Sequence, residues 1–420
     1  MSQDGAPTRV INTGGTTEPP PSPAYQIPYR PVDSKYAKDQ ATLIVGGIDF
    51  QNWESVFVSA TLHDTWSYFK FTSVERDPPP GNITLPQVAS WFTSPQFLPG
   101  DTCIVNLGGI PVIMGFVEVR QVAYDAGRHG IEISGKSVSE LTARSSVDTD
   151  TGSFDGMTWK NVADKVVEKH PTKVIPIGTL NETKFEKLQN QPGELIHDFL
   201  ERIARPRGII LGNDSFGNFL AIGKHSMPVV NTQLIEGQNI KSCQCIIHNK
   251  HAYSVYITTA QGPGSDDKHG TAVSELRAEV QGRGMKGTRI IVPSEQTVRT
   301  YQETLDRSNN ERIWREGDHI EITVTVQGWF RDDTNLWWAG ENVFIYSPMC
   351  PVNQMMKIKT CVYTQDNNSV TQTTMTLLEP WALNDRAMNT NPQSPGDTST
   401  PDPSLPSTGQ TQTGRSPGPV

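Results

Sequence analysis

The sequence is poor in the features that mark disulfide-stapled, membrane-spanning or polyanion-binding chains. Its 420 residues contain five cysteines, Cys103, Cys243, Cys245, Cys350 and Cys361, of which only Cys243 and Cys245 are close together. An odd number in that pattern implies neither a disulfide framework nor a zinc knuckle, and the thiols read as small buried hydrophobes. No stretch approaches the roughly 18 apolar residues needed to cross a bilayer, so no membrane insertion is expected. The opening MSQDGAPTRV lacks the apolar core of a signal peptide, and the chain is expected to stay in the cytoplasm where it is made. Acidic residues outnumber basic ones by 45 to 36, a formal net charge of -9. Neutralising phosphates requires clustered Lys and Arg, so this balance disfavours a DNA-binding role.

Signs of catalysis are equally scarce. There is no GxSxG elbow, and any pairing of a histidine with a Ser and an Asp is arbitrary. Asp266-Asp267 and Asp332-Asp333 are adjacent in polar stretches, the setting of solvated surface rather than of an acid and a base. Gly282-Arg283-Gly284-Met285-Lys286-Gly287 matches GxGxxG. A dinucleotide fingerprint must open a helix, whereas residues 288–292 read as a strand and Pro293 follows, so this segment is expected to be a flexible hairpin or loop. His248-x-x-His251 reads as a strand pair on opposite faces with no third ligand at a recognisable spacing. His129, between Gly127 and Gly130, sits in a turn. The expectation is a chain that is not an enzyme and needs no metal or cofactor. The alternatives are a peptidoglycan-binding module around residues 155–225 or a muralytic enzyme built from distant, unmarked residues.

What the chain has is Gly and Pro, 35 and 31 of them, punctuating short apolar runs. A chain of this length is too long for one core and suggests roughly two to four domains. The fold class is β-rich α+β and multidomain, with two small antiparallel β-barrel domains plus α+β domains. Residues 1–38 form a proline-rich arm and residues 389–420 a disordered Pro/Ser/Thr-rich tail, both too poor in apolar side chains to fold alone. Residues 39–150 carry at least six short strands, the first barrel. Residues 151–235 switch to helical spacing. Thr158 caps a helix bearing Val162, Ala163, Val166 and Val167, and a second helix bears Leu195, Ile196, Phe199, Leu200 and Ile203. Two strands joined by a turn at residues 213–218 supply the sheet they cover. Residues 236–330 form an α+β segment with one long helix, residues 294–315, and strands that complete neighbouring domains. Residues 331–388 form the second barrel segment.

That second segment resembles the first at a constant offset of 240. Gly100-Asp101 aligns with Gly340-Glu341, Ile104-Val105 with Phe344-Ile345, Val122 with Val362, and the polar turn at Gly127 with Asn367. Duplication explains the match, and so does chance alignment of short strands. Aromatics precede both Gly-acid turns: Trp91, Phe92 and Phe97 before the first, Trp337 and Trp338 before the second. Plugging a barrel is one reading and subunit contact the other. The candidate subunit or tube interface is therefore Trp91, Phe97, Leu98, Trp337 and Trp338.

A series of short stretches resembles the baseplate hub proteins of Mu-type tails, related to the late control protein D family of contractile phages. It includes Val45-Gly46-Gly47 with Trp53-Glu54-Ser55-Val56, and Phe97-Leu98-Pro99-Gly100-Asp101 with Gly108-Gly109 and Gly115-Phe116-Val117. Tyr124-Asp125, His129, Gly135-Lys136-Ser137, Phe154-x-Gly156, Pro192-Gly193-Glu194, Gly328-Trp329 and Leu336-Trp337 continue it in order. The resemblance spans roughly residues 40–385. It implies a structural subunit of the virion tail that forms a homotrimer. Two barrels per chain would make a pseudo-sixfold ring between the tail tube protein and the tail spike protein, with other baseplate proteins as neighbours. DNA would be present only in transit through the central channel.

Overall fold

The computed structural model describes residues 37–51, 53–75, 98–124, 129–225, 229–262, 276–294, 298–317, 319–366 and 370–383. Most of the proline-rich arm, all of the tail beyond residue 383, Trp91, Phe97, the turn at Gly127 and Asp266-Asp267 lie outside the described residues.

Period-two burial organises the first third. β1 (Ala41–Val45), β2 (Ile48–Phe50), β3 (Ser55–Thr61), β4 (Tyr68–Glu75), β5 (Thr102–Leu107), β6 (Ile110–Tyr124) and β7 (His129–Ser137) follow in order. In β3, Val56, Val58 and Ala60 are buried while Phe57 between them is exposed. Gly108 and Gly109, both at positive φ, make the two-residue turn from β5 to β6, a conformation that suits glycine.

After α1 (Ser139–Ala143), α2 (Trp159–Val167) and α3 (Ile196–Ala204) pack on β8 (Val174–Ile177), β9 (Ile210–Asn213) and β10 (Phe219–Ile222). The Thr158 hydroxyl accepts from Asn161 N–H at the start of α2, and Trp159, Phe199 and Phe219 share one core. β8 pairs parallel to β10 at the sheet edge, where its Pro176 is tolerated.

The remainder comprises β11 (Leu234–Ile235), β12 (Ile240–Ile247), β13 (Tyr253–Ala260), β14 (Leu276–Gln281), β15 (Met285–Val292), α4 (Tyr301–Glu316), β16 (Ile320–Gln327), β17 (Asn342–Ser347), β18 (Val352–Gln365) and β19 (Thr371–Leu378). α4 begins several residues later than its sequence pattern suggests. A capping box starts it: the Thr300 hydroxyl accepts from Glu303 N–H, and the Glu303 carboxylate accepts from Thr300 N–H. β14, β13 and β15 form a separate three-stranded sheet under α4.

All other strands of the first and last groups belong to one thirteen-stranded sheet. Its first set runs β3-β4-β7-β6-β5-β1-β2 and its second β12-β16-β19-β18-β17-β11, with β3 hydrogen-bonded to β18 between them. Both sets share one hydrophobic core that joins Leu43, Phe69, Phe71 and Val105 to Ile322, Ile345, Met356 and Leu377. Among the described residues no ladder closes either set on itself. Where two separate barrels were expected, the sheet shows two open sets joined edge to edge, because β3 pairs across to the other set.

Candidate functional site

The motifs with catalytic overtones have structural roles. The GxGxxG segment does not turn one strand back on its neighbour, as a hairpin would. Its glycines carry the chain across the start of β13, so that β14 and β15 lie on opposite sides of that strand. A Cβ on Gly282 would sit 2.2 Å from the Tyr253 carbonyl oxygen, and one on Gly284 2.4 Å from the Tyr253 carbonyl carbon. Gly282 N–H donates to Ser254 O and Arg283 N–H to the Glu316 carboxylate, so these amides face protein acceptors rather than a phosphate.

His248 and His251 lie just beyond β12 rather than on it, with their rings edge to face at 5.5 Å. His248 N–H donates to His319 O, and His319 Nδ1 lies 2.6 Å from His248 O. This pair closes the neck of the inserted β13–α4 segment. Among the described residues no three His, Cys, Asp or Glu converge as a metal group would require. Asp332 accepts from the N–H groups of Thr334 and Asn335. Burial opposes its charge, but these hydrogen bonds, with others from the Asn335 amide and Arg331, hold its pKa down at about 2.

The two Gly-acid turns are copies in three dimensions. Gly100 and Gly340 have φ of 99° and 98°. Gly100 N–H donates to Val117 O and Gly340 N–H to Ile358 O, while Val117 N–H returns to Asp101 O and Ile358 N–H to Glu341 O. The Asp101 carboxylate accepts from Leu98 N–H at 2.8 Å, and the Glu341 carboxylate accepts from Trp338 N–H at 3.3 Å. A register shift follows in both middle strands, between Val117 and Val119 and between Ile358 and Thr360. The offset is 240 in β5 and β17 but 241 in β6 and β18, because the connecting turns differ in length. Val122 therefore matches Tyr363, not Val362 as the ungapped alignment has it. In a strand that one-residue slip exchanges the two faces.

The candidate interface residues are not a single patch. Trp337 is buried in the core, where its carbonyl accepts from the Tyr363 hydroxyl, so it packs the interior and offers no surface in the single chain. Trp338 is partly buried against the same core, and Leu98 is 58% exposed at the tip of its turn.

Residues 40–137 match the N-terminal domain of Mu phage baseplate assembly protein GpP-like proteins. Residues 142–223 match the second domain of baseplate hub gp44-like proteins. These two stretches resemble baseplate hub domains of the Mu type. The fold of the chain agrees with two solved structures. The prophage MuSo2 43 kDa tail protein from Shewanella oneidensis is 21% identical over 82% of this chain and 99% of its own, with a TM-score of 0.68. The tail protein from Neisseria meningitidis MC58 is 18% identical over 83% and 98%, with the same TM-score. No curated protein matches the chain. The families matched are structural components of phage tails.

Proposed function

We propose that three copies of this hub protein form a pseudo-sixfold ring in the baseplate of a contractile tail. The ring joins the tail tube to the spike and leaves a channel through which DNA passes. The duplicated strand set carries this reading. Two sets with the same order over five strands, the same Gly-acid turn and the same bulge put two near-equivalent units in one chain. Three chains then present six, so a threefold partner and a sixfold partner can dock on one body. The role is scaffolding rather than catalysis, and assembly takes place in the host cytoplasm before the subunit is built into the virion. Light scattering of the purified chain tests this. A mass three times 46.4 kDa, with a ring and central hole in negative stain, is the expected result, and a monomer at micromolar concentration would overturn it.

A further inference from the structure

A strand set that repeats within one chain repeats its edges too. At the junction between the sets, β3 lies antiparallel to the far half of β18, from Thr61 opposite Thr360 to Val56 opposite Gln365. Val56, Val58, Cys361 and Tyr363 are buried there. The counterpart of β3 in the second set is β12. Its ladder to β16 matches that of β3 to β4, with Cys243 in the place of Val56 and Cys245 in the place of Val58. The counterpart of the far half of β18 is residues 119–124 of β6, beyond the shared register shift. Among the described residues β12 and this stretch of β6 each have a strand on one side only. As a strip of sheet, the chain ends in the two halves of a junction whose assembled form it already contains.

Both ends present apolar side chains. Val119 and Val122 are 47% and 54% exposed, and Ile246 and Ile247 are 43% and 53% exposed. An open edge with such residues templates strand addition, and soluble chains ordinarily blunt it. The two ends are different surfaces, so the contact they make is head to tail. Repeated with a fixed rotation, such a contact closes into a ring or runs on as a filament.

The geometry points to a second copy of this chain as the occupant, joined by strand addition. β12 of one copy lies antiparallel to residues 119–124 of the next, with Cys245 opposite Val122, Ile246 opposite Gln121 and Ile247 opposite Arg120. The register is that of the internal junction carried over position by position. Internal and intermolecular junctions then alternate around the assembly, and its six units meet through one kind of seam. This deepens the ring reading above and rests on it.

Val122→Cys in the full-length chain, oxidised with copper phenanthroline, tests the register, since Val122 is exposed and its replacement leaves the core intact. Native Cys243 lies 3.3 Å from Cys350 within its own chain, which leaves Cys245 as the partner at the seam. The expected result is a ladder on a non-reducing gel that ends at three chains, with the 122–245 bond identified by peptide mass. The ladder is lost in Val122→Cys/Cys245→Ser and in Ala123→Cys, whose side chain points to the opposite face. A trimeric mass with no 122–245 bond overturns the strand pairing and leaves the ring reading standing. A monomeric mass with no bond overturns both. The bond in an open-ended polymer upholds the seam and overturns the closed ring.

Discussion

The two strand sets solve the same packing problem with different side chains. In the first, Phe69 pairs with Gly135 across β4 and β7; at the matching place in the second, Ile322 pairs with Leu377 across β16 and β19. One large ring over a glycine and two medium aliphatics fill the same slot, so the repeat preserves volume across the pair rather than identity at either position. The connections differ more. Residues 62–67 join β3 to β4, whereas the equivalent β12–β16 connection, residues 248–319, carries three strands and α4 among its described residues. A hairpin loop accepts so long an insert because its ends stay together, held here by the His248 N–H on the His319 carbonyl and the His319 ring against the His248 carbonyl. The lesson is that the order of five strands is shared by the two sets while turn length and core identity differ.

The widest gap between the sets should appear at their equivalent edges. Val58→Asp places an unpaired charge in the internal β3–β18 seam and should cost more than about 4 kcal/mol, seen as loss of the cooperative unfolding transition. Val122→Asp, at the exposed edge of β6, should leave the chain's own denaturant midpoint within about 0.5 kcal/mol of wild type while abolishing the trimer in light scattering. Equal damage from both would break the equivalence of the seams.

A smaller effect separates the core pairs. A Cβ on Gly135 would lie 2.1 Å from the Phe116 carbonyl oxygen and 2.5 Å from the Phe69 ring. Gly135→Ala should destabilise by about 2 kcal/mol, and Phe69→Leu in the same chain should not restore it, because the backbone contact remains. Urea titration of the single and double variants measures this.

The Gly340-Glu341 turn carries a pH dependence. Burial pushes the Glu341 carboxyl up to about 7, against the pull of Arg331 and of Trp338 N–H. Between its ordinary value of 4.5 and about 7 the folded chain keeps a proton that the unfolded chain has lost. The stability contributed by this group is therefore fully present below about pH 4.5 and lost as pH rises through 7, a change on the order of 3 kcal/mol. Glu341→Gln should flatten that slope in thermal melts between pH 5 and 8, and an unchanged slope would show that the carboxyl is already ionised. The smallest effect concerns the insert. Thr300→Ala removes the α4 cap and should cost about 1 kcal/mol, read as faster amide exchange in the first turn of α4 with the trimer intact.

Much of the fold was legible in the sequence. The alternation of Val56, Val58 and Ala60, the helical spacing of Ile196, Phe199 and Leu200, and the Thr158 cap each name their element locally. α4 was harder to delimit, because the side chains it buries are polar: Thr304, Arg307, Ser308, Glu311 and Glu316. Burial raises the Glu311 pKa, but ion pairs to Arg307 and Arg315 outweigh it and hold the group charged. Such a face leaves no apolar stripe, and the Thr300–Glu303 capping box was the signal that could have placed the start. Of the candidate interface, Leu98 is at the surface and Trp337 is in the core. Adjacent aromatics before a turn do not reveal which of them faces inward, because that depends on what packs across from them. The open edges of β6 and β12 were missed, since nothing in a strand's own sequence records whether it has a neighbour.

The sequence alone determined the local conformations: glycines at positive φ in the turns, the alternation of each strand, the helix caps and the repeat of the Gly-acid turn. These depend on residues a few positions apart, whose sterics and hydrogen bonds act within one turn or one hairpin. Only the tertiary structure decided that β3 pairs with β18, that the repeat slips by one residue after the turn, and that among the described residues β12 and the far half of β6 have a strand on one side only. Pairings between strands hundreds of residues apart depend on which surfaces meet once the core closes, and period-two patterning is the same whichever partner is chosen.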